Sequence, residues 1–320
     1  MLYSILKRIA RLALPICCRK IIINKPEILK IKGPVLLACN HPNSFLDSII
    51  IDTLFDETVW SLARGDVFKK PFLKILAALK ILPVYRPSEG VENLSENYKT
   101  FEACIQILKK NGVITIFSEG KCINEWHLRP LKKGTARLAI KAWEENIPVT
   151  VIPVGLNYSS FTRFGKNMFI NFGNPIQKEN LNFDLADGLR HQEFNNLLQH
   201  QLEKLVFEIP KKDNQKQKEQ FEIKSSLFKK IVLIIPAIIG YIIHLPLYLP
   251  LKKYIWKRSS NSDHYDSIMA GIIMLSYPFY LILLITIVWI ATSCWWSVGL
   301  LLLLPFTAWS YIQLKPQMDK

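Results

Sequence analysis

The stretch Val35-Leu36-Leu37-Ala38-Cys39-Asn40-His41-Pro42-Asn43-Ser44-Phe45-Leu46-Asp47 passes from five apolar residues into a polar turn carrying a histidine and an aspartate. A short apolar run bounded by turn residues predicts a buried strand, here over 35–39. Val113-Ile114-Thr115-Ile116-Phe117 and Val149-Thr150-Val151-Ile152-Pro153-Val154 predict two more. Between and beside them, 47–56, 68–80, 93–110 and 134–145 read as helices. Strands alternating with helices imply an α/β domain with a mostly parallel sheet flanked by helices, whose sites gather at the carboxyl ends of the strands. The His41 turn lies at such an end. So does Phe117-Ser118-Glu119-Gly120-Lys121, which runs on from the strand over 113–117.

The composition narrows the class. The chain has 41 Lys and Arg against 26 Asp and Glu, a net charge of +15, together with 50% hydrophobic residues and a positive mean hydropathy. A soluble nucleic-acid binder would share the charge but not the hydropathy, so the cations are read as facing anionic lipid. Six cysteines without CxxC pairs or a ligand-like Cys/His spacing predict neither a disulfide framework nor a zinc site. They suit reduced thiols in a chain facing the cytoplasm.

The domain plan follows from composition shifts. In residues 1–20, Leu2, Ile5, Leu6, Ile9 and Leu12 recur at helical spacing, while Lys7, Arg8 and Arg11 interrupt what would be the apolar core of a signal peptide. The segment reads as an amphipathic membrane-surface helix, or alternatively as a helix packed on the domain. Residues 21–210 form the α/β domain, and the polar 211–228 reads as a linker or a solvated helix. Residues 229–320 form a membrane region. Within it, 267–314 contains no Asp, Glu, Lys or Arg and accommodates two spans with a turn near Ser293-Cys294-Trp295-Trp296-Ser297. An earlier apolar run, 231–250, carries His244, Pro236, Pro246 and Pro250 between basic flanks. If cationic flanks stay cytoplasmic, 267–314 is a hairpin and 231–250 is re-entrant or interfacial rather than spanning. His127 reads as a partly exposed loop residue or, alternatively, as a substitute base; His191, His200 and His264 have no partner at telling spacing and read as solvated or helix-surface residues, and His244 as structural.

Histidine has a suitable pKa for taking a proton from a hydroxyl, and a neighbouring carboxylate can hold one ring nitrogen protonated while the other accepts. Asp47 lies six positions after His41, so the two face apart on a continuous helix. They meet only across a non-helical turn, which Pro42 favours. The second turn, with Leu128-Arg129-Pro130-Leu131-Lys132-Lys133-Gly134 shortly after it, can offer backbone amides and cations to a phosphate.

Four blocks in order resemble the glycerol-phosphate acyltransferase superfamily over roughly residues 30–175: Asn40 to Asp47, Arg64-Gly65-Asp66 through Arg86, Phe117 to Gly120, and Val151-Ile152-Pro153-Val154-Gly155. The five residues between His41 and Asp47, the 128–134 stretch and Tyr265-Asp266-Ser267 are similar to the fungal-type glycerol-3-phosphate and dihydroxyacetone-phosphate acyltransferases of that superfamily. The resemblance implies a membrane-bound acyltransferase of phospholipid biosynthesis, its catalytic domain on the cytoplasmic face. It would use an acyl donor (an acyl carrier protein or coenzyme A thioester, or an acyl phosphate) and a phosphorylated glycerol-type acceptor, with no metal and no organic cofactor. It makes His41 the general base and Asp47 its orienting partner. Glu119 and Gly120 shape the acceptor site, and Arg86 contacts the acceptor phosphate, with Arg64 and Lys132 as further candidates. The second turn departs from the family pattern: Ser118 replaces Pro, while Lys121 and Cys122 replace Thr and Arg. The phosphate contact of that Arg would pass to Lys121, Arg129 or Lys132. Two rival expectations remain, a lysophosphatidate or other lysolipid as acceptor and, from another class, a non-catalytic lipid-binding or scaffold protein.

Overall fold

A computed structural model describes residues 2–85 and 94–318. Seven strands form one sheet: β1 (Cys18–Ile23), β2 (Val35–Cys39), β3 (Val59–Arg64), β4 (Ile81–Val84), β5 (Val113–Phe117), β6 (Thr150–Tyr158) and β7 (Lys166–Phe172). Their order across the sheet is β1-β7-β6-β2-β5-β3-β4. The five strands β6, β2, β5, β3 and β4 run parallel, while β7 turns back antiparallel to β6 and carries β1 alongside it in parallel. At the centre Cys39 is level with Phe117 on one side and Val154 on the other. The turns after β2 and β5 therefore open side by side at one edge.

Every residue of β2 is buried, which a parallel strand covered on both faces requires. On one face Leu36, Ile114 and Val151 pack beneath Leu108 of α4 (Leu94–Lys109), Trp143 of α5 (Gly134–Glu144) and Phe194 of α6 (Asp187–Glu203). On the other, Val35, Leu37 and Ile152 pack with Ile50 and Ile51 of α2 (Ser44–Leu54) and Leu14 of α1 (Leu2–Cys17). Ala270 of α9 (Tyr265–Thr292) and Ile312 of α10 (Leu300–Leu314) belong to this second layer, so apolar C-terminal helices supply part of the core.

One expectation is revised, and two readings gain detail. The helix expected over 68–80 shrinks to a 3-10 turn at Lys70–Phe72 and the short α3 (Leu73–Ala78), because Pro71 sets the helical start late. The polar segment 211–228 takes the helical alternative: it forms α7 (Asn214–Phe221), and buried Phe221 packs among Trp126, Phe169 and Phe207. In α1 the apolar residues Leu2, Ile5, Ile9 and Leu12 stay exposed, while two cations turn inward. Lys7 Nζ donates to Glu57 O at 2.7 Å, and Arg11 donates to the Thr53 and Phe55 carbonyls that end α2, at 2.8 and 2.9 Å.

Three C-terminal helices are long and apolar enough to cross a membrane, α8 (Leu227–Ser259), α9 and the last turn-plus-helix from Trp295 to Leu314. Lys229 of α8 donates to Gln313 Oε1 at 2.6 Å, Gly240 lies against the Thr307 backbone, and Tyr248 packs on Phe164 with Lys315 5.5 Å from its ring. Positions 229 and 248 stand about 28 Å apart on a straight helix, yet both border residues 313–315. Between them Pro236 and Pro246 interrupt its hydrogen-bond ladder, which is where such a helix accommodates a bend. Both of its ends meet the α/β domain.

Candidate active site

Pro42 and Asn43 break the chain before α2, and Ser44 takes a left-handed φ of 52°. That kink does what the sequence spacing demands: His41 Nδ1 lies 2.9 Å from Asp47 Oδ2 in the first turn of α2. Asp47 is fully buried and takes two further donors. The Asn43 backbone N–H donates to Oδ2 at 2.8 Å, and the Tyr158 hydroxyl donates to Oδ1 at 2.7 Å. A carboxylate held by three donors fixes the imidazole tautomer, with the proton on Nδ1 and Nε2 open to accept. Burial, and then Asp47, push the Tyr158 hydroxyl well above its ordinary pKa, so it stays a donor. The His41 ring stacks on Phe117 at 3.9 Å between centroids, and its side chain keeps 18% exposure. The imidazole is held on one face and at one nitrogen, and remains reachable.

Glu119 does not point into open space. Its two oxygens accept the backbone N–H groups of His41 and Arg129, each at 3.0 Å, and the residue is buried. Burial raises its carboxyl above the usual Glu range, and the two amides oppose that shift. It braces the two turns against each other. Gly120 follows with φ 67°, where an added Cβ would meet Lys132 Cγ at 3.0 Å. Lys132 is exposed, and its backbone N–H donates to Ser118 O at 2.7 Å. Lys121 is exposed as well. Arg129 is part-buried with its Nε 3.9 Å from Glu125 Oε1. Arg64, exposed, pairs with Asp66 at 2.6 Å. Arg86 lies outside the described residues. His41, Asp47, Glu119, Gly120, Arg129 and Lys132 thus cluster around adjacent turns.

The sequence reading of His264 as a solvated residue is corrected. It is half-buried just before α9, its Nδ1 2.6 Å from Ser44 Oγ. Burial lowers its pKa, Asp263 works against that, and the charges of Arg64 and His41 lower it further. Its neighbours are equally engaged. Asp263 Oδ1 accepts from the Asn124 backbone N–H at 2.9 Å, and Ser267 Oγ accepts from Leu46 N at 3.0 Å while donating to Asn43 O at 2.8 Å. His264 and Ser267 stand more than 200 positions from the motif they touch, so no local pattern announces the contact. Two signals bear on the segment: the fungal-type likeness of Tyr265-Asp266-Ser267, and Asp266 as the last charge before a long uncharged stretch. His127 pairs in the open with Glu208, and His244 bonds Gly240 O and the Tyr277 hydroxyl in a structural role.

The acyltransferase family profile matches residues 20–157, which hold both turns and nearly all of β1 to β6. The chain is 28% identical over 129 residues to glycerol-3-phosphate O-acyltransferase 1 of Saccharomyces cerevisiae, covering 40% of this chain and 16% of the yeast protein. It is 27% identical over 155 residues to the 1-acyl-sn-glycerol-3-phosphate acyltransferase of Borreliella burgdorferi, covering 48% of this chain and 57% of that one. The crystal structure of the 1-acyl-sn-glycerophosphate acyltransferase of Thermotoga maritima superposes with a TM-score of 0.38 at 16% identity, over 58% of this chain and 72% of its own. The chain spans less than two thirds of the length of the curated relatives it matches. Residues 20–157 thus match the acyltransferase family, and the named relatives support a place in the glycerol-phosphate acyltransferase superfamily.

Proposed function

We propose that the chain moves a fatty acyl group from a thioester to a hydroxyl of glycerol 3-phosphate or dihydroxyacetone phosphate. One observation carries the reading: an imidazole oriented by a buried carboxylate, with its second nitrogen open, at the sheet edge from which the apolar helix α9 departs. His41 Nε2 takes the acceptor hydroxyl proton as the oxygen attacks the thioester carbonyl, and the imidazolium then returns the proton to the departing thiolate. Asp47 stabilises the imidazolium without taking its proton. The step forms a C–O ester bond, breaks the C–S bond and passes through no acyl-enzyme. It requires neither a metal nor an organic cofactor. Arg64, Arg86, Lys121, Arg129 and Lys132 are the candidates for holding the acceptor phosphate, as point charges or bidentate forks. The catalytic domain lies on the cytoplasmic face in this reading.

The yeast relative's name supports glycerol 3-phosphate as acceptor, and the Borreliella relative's name supports 1-acylglycerol 3-phosphate. Purified protein incubated with one labelled acyl thioester and a panel of acceptors distinguishes the two by the lipid made. In the same assay His41→Ala should lower transfer by about 10³-fold or more while leaving the protein in the membrane fraction. Undiminished turnover by that variant removes the mechanism.

A further inference from the structure

We infer that Asp266, at the start of α9, is a positioning residue that holds the His41–Asp47 turn in its working shape through Asn43. This rests on the reading that His41 is the base. Asn43 is fully buried and fastened at three points. Its backbone N–H donates to Asp47 Oδ2 at 2.8 Å, the same oxygen that faces His41 Nδ1. Its carbonyl accepts from Ser267 Oγ at 2.8 Å, and its side-chain Nδ2 donates to Asp266 Oδ2 at 2.6 Å. Asp266 in turn pairs with Lys166 at the start of β7, both side chains 2% exposed. A continuous buried chain therefore runs from the sheet through Lys166, Asp266, Asn43 and Asp47 to the imidazole.

The turn needs such a hold. Ser44 occupies the left-handed region without being glycine, a conformation that persists only when its surroundings over-determine it. Released, the turn would relax toward ordinary helix, which carries Asp47 away from His41. Two of the three fasteners of Asn43 come from residues 266 and 267, delivered to the site by the bent α8. The membrane region thus completes the catalytic turn, and residues 21–210 alone hold the base and the carboxylate without the two groups from 266 and 267 that fasten Asn43.

Removing Asp266 alone would leave the Lys166 ammonium buried without its counter-ion, a strongly destabilising change. The test therefore uses two paired substitutions. K166M/D266L removes the charges and the acceptor for Asn43, whereas K166M/D266N removes the charges but keeps a side-chain oxygen in place for the Asn43 amide. The full chain in mixed micelles is assayed with a labelled acyl thioester and the acceptor that wild type uses, alongside His41→Ala. K166M/D266L should lose about 10- to 100-fold in kcat with the acceptor KM unchanged, and K166M/D266N should stay within about threefold of wild type. Wild-type kcat in K166M/D266L, equal loss in both pairs, or a loss carried by KM would each overturn the inference. Undiminished transfer by His41→Ala would instead overturn the catalytic reading on which it stands.

Discussion

Asp47 accepts from three donors, and Glu119 accepts two backbone amides, one from His41 and one from Arg129. The family resemblance makes Glu119 a shaper of the acceptor site, but its oxygens are engaged with the protein itself. Glu119→Gln sets an NH2 against a backbone N–H and leaves that donor buried and unpaired, at about 1–3 kcal/mol. We expect a lower Tm and a lower kcat with an unchanged acceptor KM; a change in KM alone would return Glu119 to substrate contact. His264 supplies a pH test. Its folded-state pKa is lowered, so the unfolded chain binds the proton more readily. Its contribution to stability is present above about pH 6.5 and is lost as the pH falls through that value. The Tm of wild type should therefore drop more steeply than that of His264→Gln between about pH 7.5 and 5.5. Equal slopes would discard this. His41 and Asp47 were legible in the sequence because both sit in one short turn after a strand. Tyr158, Lys166 and Asp266 were not, since their meaning lies in contacts across 100 residues or more.

At the level of elements, apolar runs located the central strands β2, β5 and β6, whose burial on both faces leaves no room for alternation. Strand β7 was less legible because lysine and asparagines break its apolar pattern, although Lys166 and Asn167 are buried and bonded. Helix α1 shows what periodicity omits. The 3.6-residue repeat of Leu2, Ile5, Ile9 and Leu12 identified an apolar face, but the helix docks through buried Ala10 and Leu14 together with Lys7 and Arg11, which satisfy carbonyls left open around the end of α2. Between α8 and α10 the decisive residue is Gly240, where an added Cβ would overlap the Thr307 carbonyl. Close backbone approach at a small residue is how apolar helices associate without a hydrophobic driving force. Gly240→Leu should force α8 and α10 apart, at about 1–3 kcal/mol, lowering the Tm measured in detergent. A Tm equal to that of wild type would show that the bend in α8 absorbs the extra bulk.

For the molecule as a whole, we propose a membrane placement for the run that composition left open between re-entrant and spanning. Helix α8 starts and ends beside the α/β domain, α9 leaves from the His41 turn, and the end of α10 returns to β1 through Gln313 and to the loop before β7 through Lys315. The stacked, exposed Trp295 and Trp296 lie at the turn between α9 and α10 and suit the opposite interface. We expect single cysteines at 227 and at 252–258 to react with a membrane-impermeant thiol reagent from the same side, the side of the α/β domain, and one at 296 not to. Labelling of 252–258 from the other side would defeat this placement. The departure of α9 from the very turn that carries His41 has one more consequence. In the proposed reading a newly made lipid would leave sideways into the leaflet without crossing water, and its rate of formation should follow the mole fraction of the acyl thioester at the surface rather than its bulk concentration. Diluting that surface with inert detergent would then slow the enzyme even while every total concentration stayed the same.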